Sequence, residues 1–136
     1  MDKEKLRQRL LGIFLGEFDQ YLETLHADLS GLRTDPNGPD QHERIERLHR
    51  DSHGLKGAAR SAGVAPLQRT FLGLERLMAG VRDGQRPLDA QVLELLASAA
   101  EALTDARQRM RTSNDPSGPP LDGLLPRLEA VVGSPL

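Results

Sequence analysis

The residues with the most chemistry to offer lie in one short stretch, His49-Arg50-Asp51-Ser52-His53-Gly54-Leu55-Lys56-Gly57-Ala58-Ala59-Arg60-Ser61-Ala62-Gly63. It reads as helix, although Gly54 and Gly57 each cost a helix interior roughly 1 kcal/mol relative to alanine. Access explains such a sacrifice. Gly57 falls one turn after His53, where a side chain is expected to crowd the imidazole. Lys56, three residues on, can swing alongside the same ring. A neutral imidazole is nucleophilic near pH 7 because its unperturbed pKa is about 6.5. Phosphoryl transfer asks the protein for an accessible nucleophile, in-line geometry and neutralised charge. Lys56 offers that charge as a point cation. The competing reading makes His53 an ordinary boundary histidine, and the small residues crowded beside it weigh against that.

Other candidates carry less. His49 and His53, at i and i+4, present two metal ligands without a convincing third, so no metal is expected. His26 and His42 read as surface residues. Arg44, Arg47, Arg50, Arg60 and Arg69 form either a basic rim for an acidic partner pocket or a solvated surface. There is no glycine-rich nucleotide loop and no serine–histidine–acid elbow.

These side chains need a scaffold, and the composition limits which. The chain has 136 residues, 38% of them hydrophobic but only 3% aromatic, so a leucine- and alanine-rich core in one all-α domain is expected. A formal net charge of -2 argues against general nucleic-acid binding. Cysteine is absent, which excludes disulfides and thiolate metal sites. No run is long enough to span a membrane. Met1 to Lys5 is charged and unlike a signal peptide, so a cytoplasmic setting is expected.

Helical spacing then divides the chain. Leu6, Leu10, Ile13, Phe14, Phe18, Tyr21, Leu22, Leu25, Leu29 and Leu32 predict one amphipathic helix from about Lys3 to Arg33. Thr34 to Pro39 ends it, and Asp40 with Glu43 predicts a capping box for the second. Ile45, Leu48, Ser52, Leu55, Ala59 and Ala62 form that helix's seam, with Gly63 as C-cap. His49, His53, Lys56 and Arg60 make a neighbouring stripe, so His53 should be part-exposed. A third helix opens near Pro66 and carries Leu67, Phe71, Leu74, Leu77, Met78 and Val81. A fourth starts near Asp89 and carries Val92, Leu96, Ala99, Leu103, Ala106 and Met110. Four such helices with short connections predict an antiparallel up-down four-helix bundle over residues 1–111. Residues 112–136 read as a Pro/Gly/Ser linker plus a short fifth helix, Leu121 to Val132, either packed on the bundle or leading elsewhere.

The run His53-Gly54-Leu55-Lys56-Gly57-Ala58-Ala59 resembles the His-x-Leu-Lys-Gly-small-small signature of histidine-containing phosphotransfer (Hpt) domains. Leu48-His49-Arg50, the Ala62-Gly63 turn and Leu67 also fit, and the resemblance spans roughly residues 10–111. It implies that His53 carries phosphate on Nε2, with Lys56 neutralising it and Gly57 leaving it room. Gly54, Arg60 and His49 would support the site. The nearest subfamily is the amino-terminal phosphoacceptor domain of chemotaxis-type (CheA-like) histidine kinases, in which a glutamate on the next helix holds the histidine's Nδ1. Glu75 occupies the matching position; otherwise it is a solvated residue paired with Arg76 or Arg69. That family often has a polar residue one turn earlier, where this chain has Leu72, so a wider polar network is not expected.

The resemblance further implies two partners, a histidine-kinase catalytic domain that supplies the phosphoryl group and a response-regulator receiver whose aspartate accepts it. ATP and Mg²⁺ would belong to those partners, this chain holding no cofactor and turning over no ATP by itself. The alternatives are a stand-alone or hybrid-kinase relay domain between two receivers, or a helical docking module in which His53 is incidental.

Overall fold

The computed structural model describes residues 2–136 and contains, among them, five helices and no strand. Helix α1 spans Lys3–Thr34, α2 Gln41–Ala62, α3 Ala65–Arg82, α4 Ala90–Arg109 and α5 Pro119–Val132.

The helix ends follow local chemistry, with one departure. The Asp2 and Asp89 carboxylates cap α1 and α4 by accepting from the Glu4 and Val92 amides, both at 3.0 Å. Gly63 closes α2 at φ +76°, and the Val64 amide reaches back to the Ala59 carbonyl at 2.9 Å. A left-handed residue is needed there, and glycine takes that conformation without strain. The capping box expected at Asp40 does not form. Asp40 sits at φ -92°, ψ 0°, outside the extended region a capping side chain requires, and makes no cap hydrogen bond. Its carboxylate instead approaches Arg44 at 3.9 Å.

Cross-helix partners establish the directions. Tyr21 meets Ser52 while Asp28 meets Arg47, so α1 and α2 run antiparallel. His53 meets Glu75 while His49 meets Arg82, which makes α3 antiparallel to α2. Asp19 meets Arg107 while His26 meets Thr104, and α4 therefore runs against α1. This is the up-down bundle that the helix spacing predicts.

Its centre is filled by rings. Phe71 of α3 packs edge-on against Phe18, Tyr21 and Phe14 of α1, with centroids 5.7, 5.4 and 6.4 Å away. Edge-to-face pairs of this kind contribute about 0.5–1.5 kcal/mol beyond their buried area. Ala59 and Ala62 of α2, and Ala99, Ala102 and Ala106 of α4, are buried around the cluster.

Two polar contacts thread this core. Asp28, 4% exposed, lies in the apolar face of α1 and accepts two hydrogen bonds from Arg47, at 2.7 and 2.9 Å. Arg47 is therefore tied into the fold rather than free for the basic rim, and Asp28 raises its already high pKa further. The Tyr21 hydroxyl pairs with Ser52 at 3.2 Å, and burial pushes that phenol well above its ordinary range.

The apolar face of α1 also overshoots the core. Leu6 and Ile13 are 44% and 53% exposed, although their spacing assigns them to the buried face. The buried stripe is narrower than the spacing suggests: Phe14, beside Ile13, is wholly buried, and Arg7 still lies near Gly63 at the end of α2, so Ile13 stands at the edge of the buried face rather than beyond that neighbour.

Helix α5 packs on the bundle. It lies against both α3 and α4, which do not otherwise approach each other closely, and buries Leu121, Leu124 and Leu128 there. Gly73 permits the contact, since a Cβ there would stand 3.1 Å from Leu128 and 2.8 Å from Leu136. Arg127 bonds Glu94 and Ser98, and Arg86 donates to the Val131 carbonyl at 2.6 Å. The helix begins two residues before the expected Leu121 because Pro119 and Pro120 suit a first turn, where amide hydrogens lack helical partners.

Candidate functional site

Helices α2 and α3 form the site between them. Along α2 the buried seam is Leu48, Ser52, Leu55 and Ala59, and the side chains one position further round stand at the boundary with solvent. His53 is among them, its side chain 64% exposed. Its Nδ1 is hydrogen-bonded to Glu75 Oε1 of α3. The other carboxylate oxygen of Glu75 accepts from Lys56 Nζ at 2.8 Å. One carboxylate thus bridges an imidazole and an ammonium.

Glu75 is only 14% exposed, and its protonation follows from its neighbours. Burial alone would raise its pKa, but the hydrogen bonds from Lys56 and His53 outweigh that and hold it below the ordinary carboxylate range. An ionised carboxylate can only accept, so the proton of the shared bond belongs to His53 Nδ1. Nε2 is left with its lone pair, pointing away from α3. The network is complete above the usual value of 4.5 and dissolves only as pH falls through the lowered one.

The remaining sequence candidates separate. Lys56, expected beside a phosphate, is engaged with Glu75. A Cβ at Gly57 or Gly54 would meet nothing within 4 Å, so the crowding of His53 expected from a side chain at Gly57 is not produced by this chain itself. Helical side chains lean toward the N-terminus, which carries the His53 ring away from Gly57 and over the turn of His49 and Arg50. Arg60 is exposed on the same face. Arg76, the alternative partner for Glu75, bonds Ser134 instead.

His49 does not duplicate His53. Arg82 Nη1 lies 3.2 Å from its Nδ1 and 3.5 Å from its Nε2, and the same guanidinium reaches Glu46 and Asp83. No group of three or more His, Asp or Glu side chains gathers to hold a metal among the described residues.

Two features escaped the reading of the sequence. A shallow cavity of about 300 Å³ is lined by Glu46, His49, Arg50 and His53. Beyond Arg50, which borders both hollows, a groove of about 420 Å³ against α1 includes Glu17, Tyr21, Asp51 and Gly54. Burial raises the Asp51 carboxyl there, although Arg50 and Arg47 oppose the shift. Neither hollow was legible, because each depends on how two side chains of one helix splay or how two helices approach.

The bundle thus displays one oriented imidazole at an open surface rather than in an enclosed cavity. Residues 9–110 match the family model of the Hpt domain, and the chain belongs to that family. Curated relatives include the chemotaxis protein CheA of Klebsiella aerogenes, 28% identical over 109 residues, which are 80% of this chain and 16% of that protein. The chemotaxis protein CheA of Cereibacter sphaeroides is 26% identical over 133 residues, 98% of this chain and 19% of its own. The chain thus spans less than a fifth of the length of these two relatives. Its fold is that of the phosphorylated P1 domain of CheA3 from R. sphaeroides, solved in complex with CheY6, at a TM-score of 0.78 and 24% identity, covering 92% of this chain and 96% of that one. No helix of the described residues is long and apolar enough to cross a membrane.

Proposed function

We propose that this domain is the phosphoacceptor module of a chemotaxis-like histidine kinase, working in the cytoplasm, and that His53 is its phosphorylated residue. The observation that carries the reading is the hydrogen bond from His53 Nδ1 to Glu75, which leaves an exposed Nε2 unprotonated. In the first step the Nε2 lone pair attacks the γ-phosphorus of ATP held by a kinase catalytic domain. The Nε2–P bond forms as the P–O bond to ADP breaks, and ADP leaves with the bonding electrons. The ring becomes cationic, and Glu75 stabilises that charge through the Nδ1 proton, as an acid steadies a catalytic histidine. In the second step an aspartate oxygen of a receiver domain attacks phosphorus, and the N–P electrons return to the imidazole. ATP and Mg²⁺ are supplied by the partner domains.

The test supplies the domain with ATP and the catalytic core of a chemotaxis-type kinase lacking its own phosphoacceptor. Acid-labile, base-stable phosphate should appear, map to His53 by mass spectrometry and pass to a receiver domain in Mg²⁺. Phosphate on another residue, or none, refutes the reading.

Glu75 has its own expected effect. Glu75→Ala should slow labelling by roughly ten- to a hundredfold, taking the scale from loss of the outer-shell partner that orients a metal-ligating histidine. Circular dichroism should show an unchanged bundle, because the residue sits at the surface seam of α2 and α3. Labelling rates equal to the parent's would make Glu75 a purely structural partner of Lys56.

A further inference from the structure

Granting that His53 is phosphorylated, the identity of the cation beside the phosphoryl group remains to be assigned, and four basic residues border the site. Lys56 has its ammonium on Glu75 Oε2 at 2.8 Å, on the side of the ring that faces α3. Arg82 is held by Glu46 and Asp83 and donates to His49. Arg60 follows His53 by two helical turns, whereas the imidazole leans the other way.

Arg50 differs from all three. It lies one turn before His53, in the direction the ring leans, and lines the same 300 Å³ cavity. Its side chain is 73% exposed, and its one carboxylate neighbour, Asp51, stands at 3.9 Å, too far for a hydrogen bond. The Glu75 bond turns Nε2 away from α3, so a group on that nitrogen emerges beside Arg50 rather than beside Lys56.

We propose that Arg50, not Lys56, is the cation that this domain places against the phosphoryl group on His53. A guanidinium suits three phosphoryl oxygens because it donates through a planar fork. Lys56 is then a positioning residue, which fixes Glu75 and through it the ring. The titratable and charged groups around the His53 ring are Glu46, His49 and Arg50 at the cavity, with Lys56 of α2 and Glu75 and Arg82 of α3 on the opposite side of the ring.

The test is a ³¹P NMR titration of the intact domain phosphorylated on His53, with no partner present. A phosphoryl group loses its second proton near pH 6, and a nearby cation lowers that pKa. Arg50→Ala should raise it by about half a pH unit, as expected for a charge near the surface. Arg50→Lys should restore part of the difference, while Lys56→Ala and Arg60→Ala should shift it less than Arg50→Ala does. A pKa indifferent to Arg50, or one governed by Lys56 or Arg60, overturns this assignment while leaving His53 as phosphoacceptor. Absence of any Nε2-phosphoryl signal in the parent domain overturns both.

Discussion

His53→Gln is expected to abolish phosphate uptake from a cognate kinase and ATP, with no residual labelling of the second histidine one turn away. The substitution is mild for the fold. The side chain is 64% exposed, glutamine is at least as good a helix former, and Glu75 keeps its bond from Lys56, so stability should change by no more than about 1.5 kcal/mol, the worth of one hydrogen bond. Loss of labelling therefore reports chemistry. The sharper part of the expectation concerns His49, four residues earlier on the same stripe. A guanidinium only donates, and Arg82 Nη1 stands 3.2 Å from Nδ1 and 3.5 Å from Nε2 of His49, so either lone pair of that ring has a cation against it. His53 has the reverse arrangement, because Glu75 only accepts. His49 thus has a cation against both ring nitrogens, whereas His53 has a carboxylate on Nδ1 and an Nε2 that bonds nothing in the domain. Kinase labelling followed by mass spectrometry of parent, His53→Gln and His49→Gln chains checks this directly. His49→Gln should label to the same extent as the parent, and phosphate found on His49 in the His53→Gln chain would refute the claim that Arg82 keeps that ring from reacting.

That difference shows where sequence stops informing structure. The helices, the seam of α2 and the part-exposed His53 were readable, because each follows from three-four spacing and from where leucine gives way to alanine. The Glu75 contact came from family resemblance; spacing alone does not say which face of α3 meets α2. The guanidinium over His49 was out of reach, since Arg82 approaches it from another helix. Asp28 was readable in principle: a carboxylate between Leu25 and Leu29 on an apolar face demands a partner, and Arg47 is that partner. The exposed Leu6 and Ile13 reverse the problem. Their spacing is helical, but spacing does not record how narrow the buried stripe is, with Phe14 wholly buried and Ile13 beside it exposed. Helix α5 was foreseen as a helix, while its seat between α3 and α4 depended on Gly73, whose missing side chain is meaningful only once Leu128 and Leu136 are known to lie over it.

The second large effect lies in the core. Phe71→Ala should lower the unfolding free energy by roughly 3–5 kcal/mol, the usual range for deleting a buried aromatic ring. Against a typical total of about 5–15 kcal/mol this is a substantial share. Phe71 is wholly buried, and it is the ring that Phe14, Phe18 and Tyr21 all pack against, so no single neighbour can refill the space. Urea unfolding followed by circular dichroism measures the loss, and Phe71→Leu should recover much of it by keeping most of the volume. The functional consequence should differ in kind from that of the site substitutions. Phe71 lies one turn before Glu75 on α3, and Tyr21 in the same cluster bonds Ser52, the residue before His53. The ring cluster therefore sets the backbone of both helices but touches neither reacting nitrogen nor carboxylate. At temperatures where Phe71→Ala remains folded, labelling of His53 should stay within a few-fold of the parent, and it should fail together with the circular dichroism signal on warming. A loss below about 1 kcal/mol would mean that the surrounding leucines collapse into the vacated space, and the cluster would then be filler rather than the centre of the bundle.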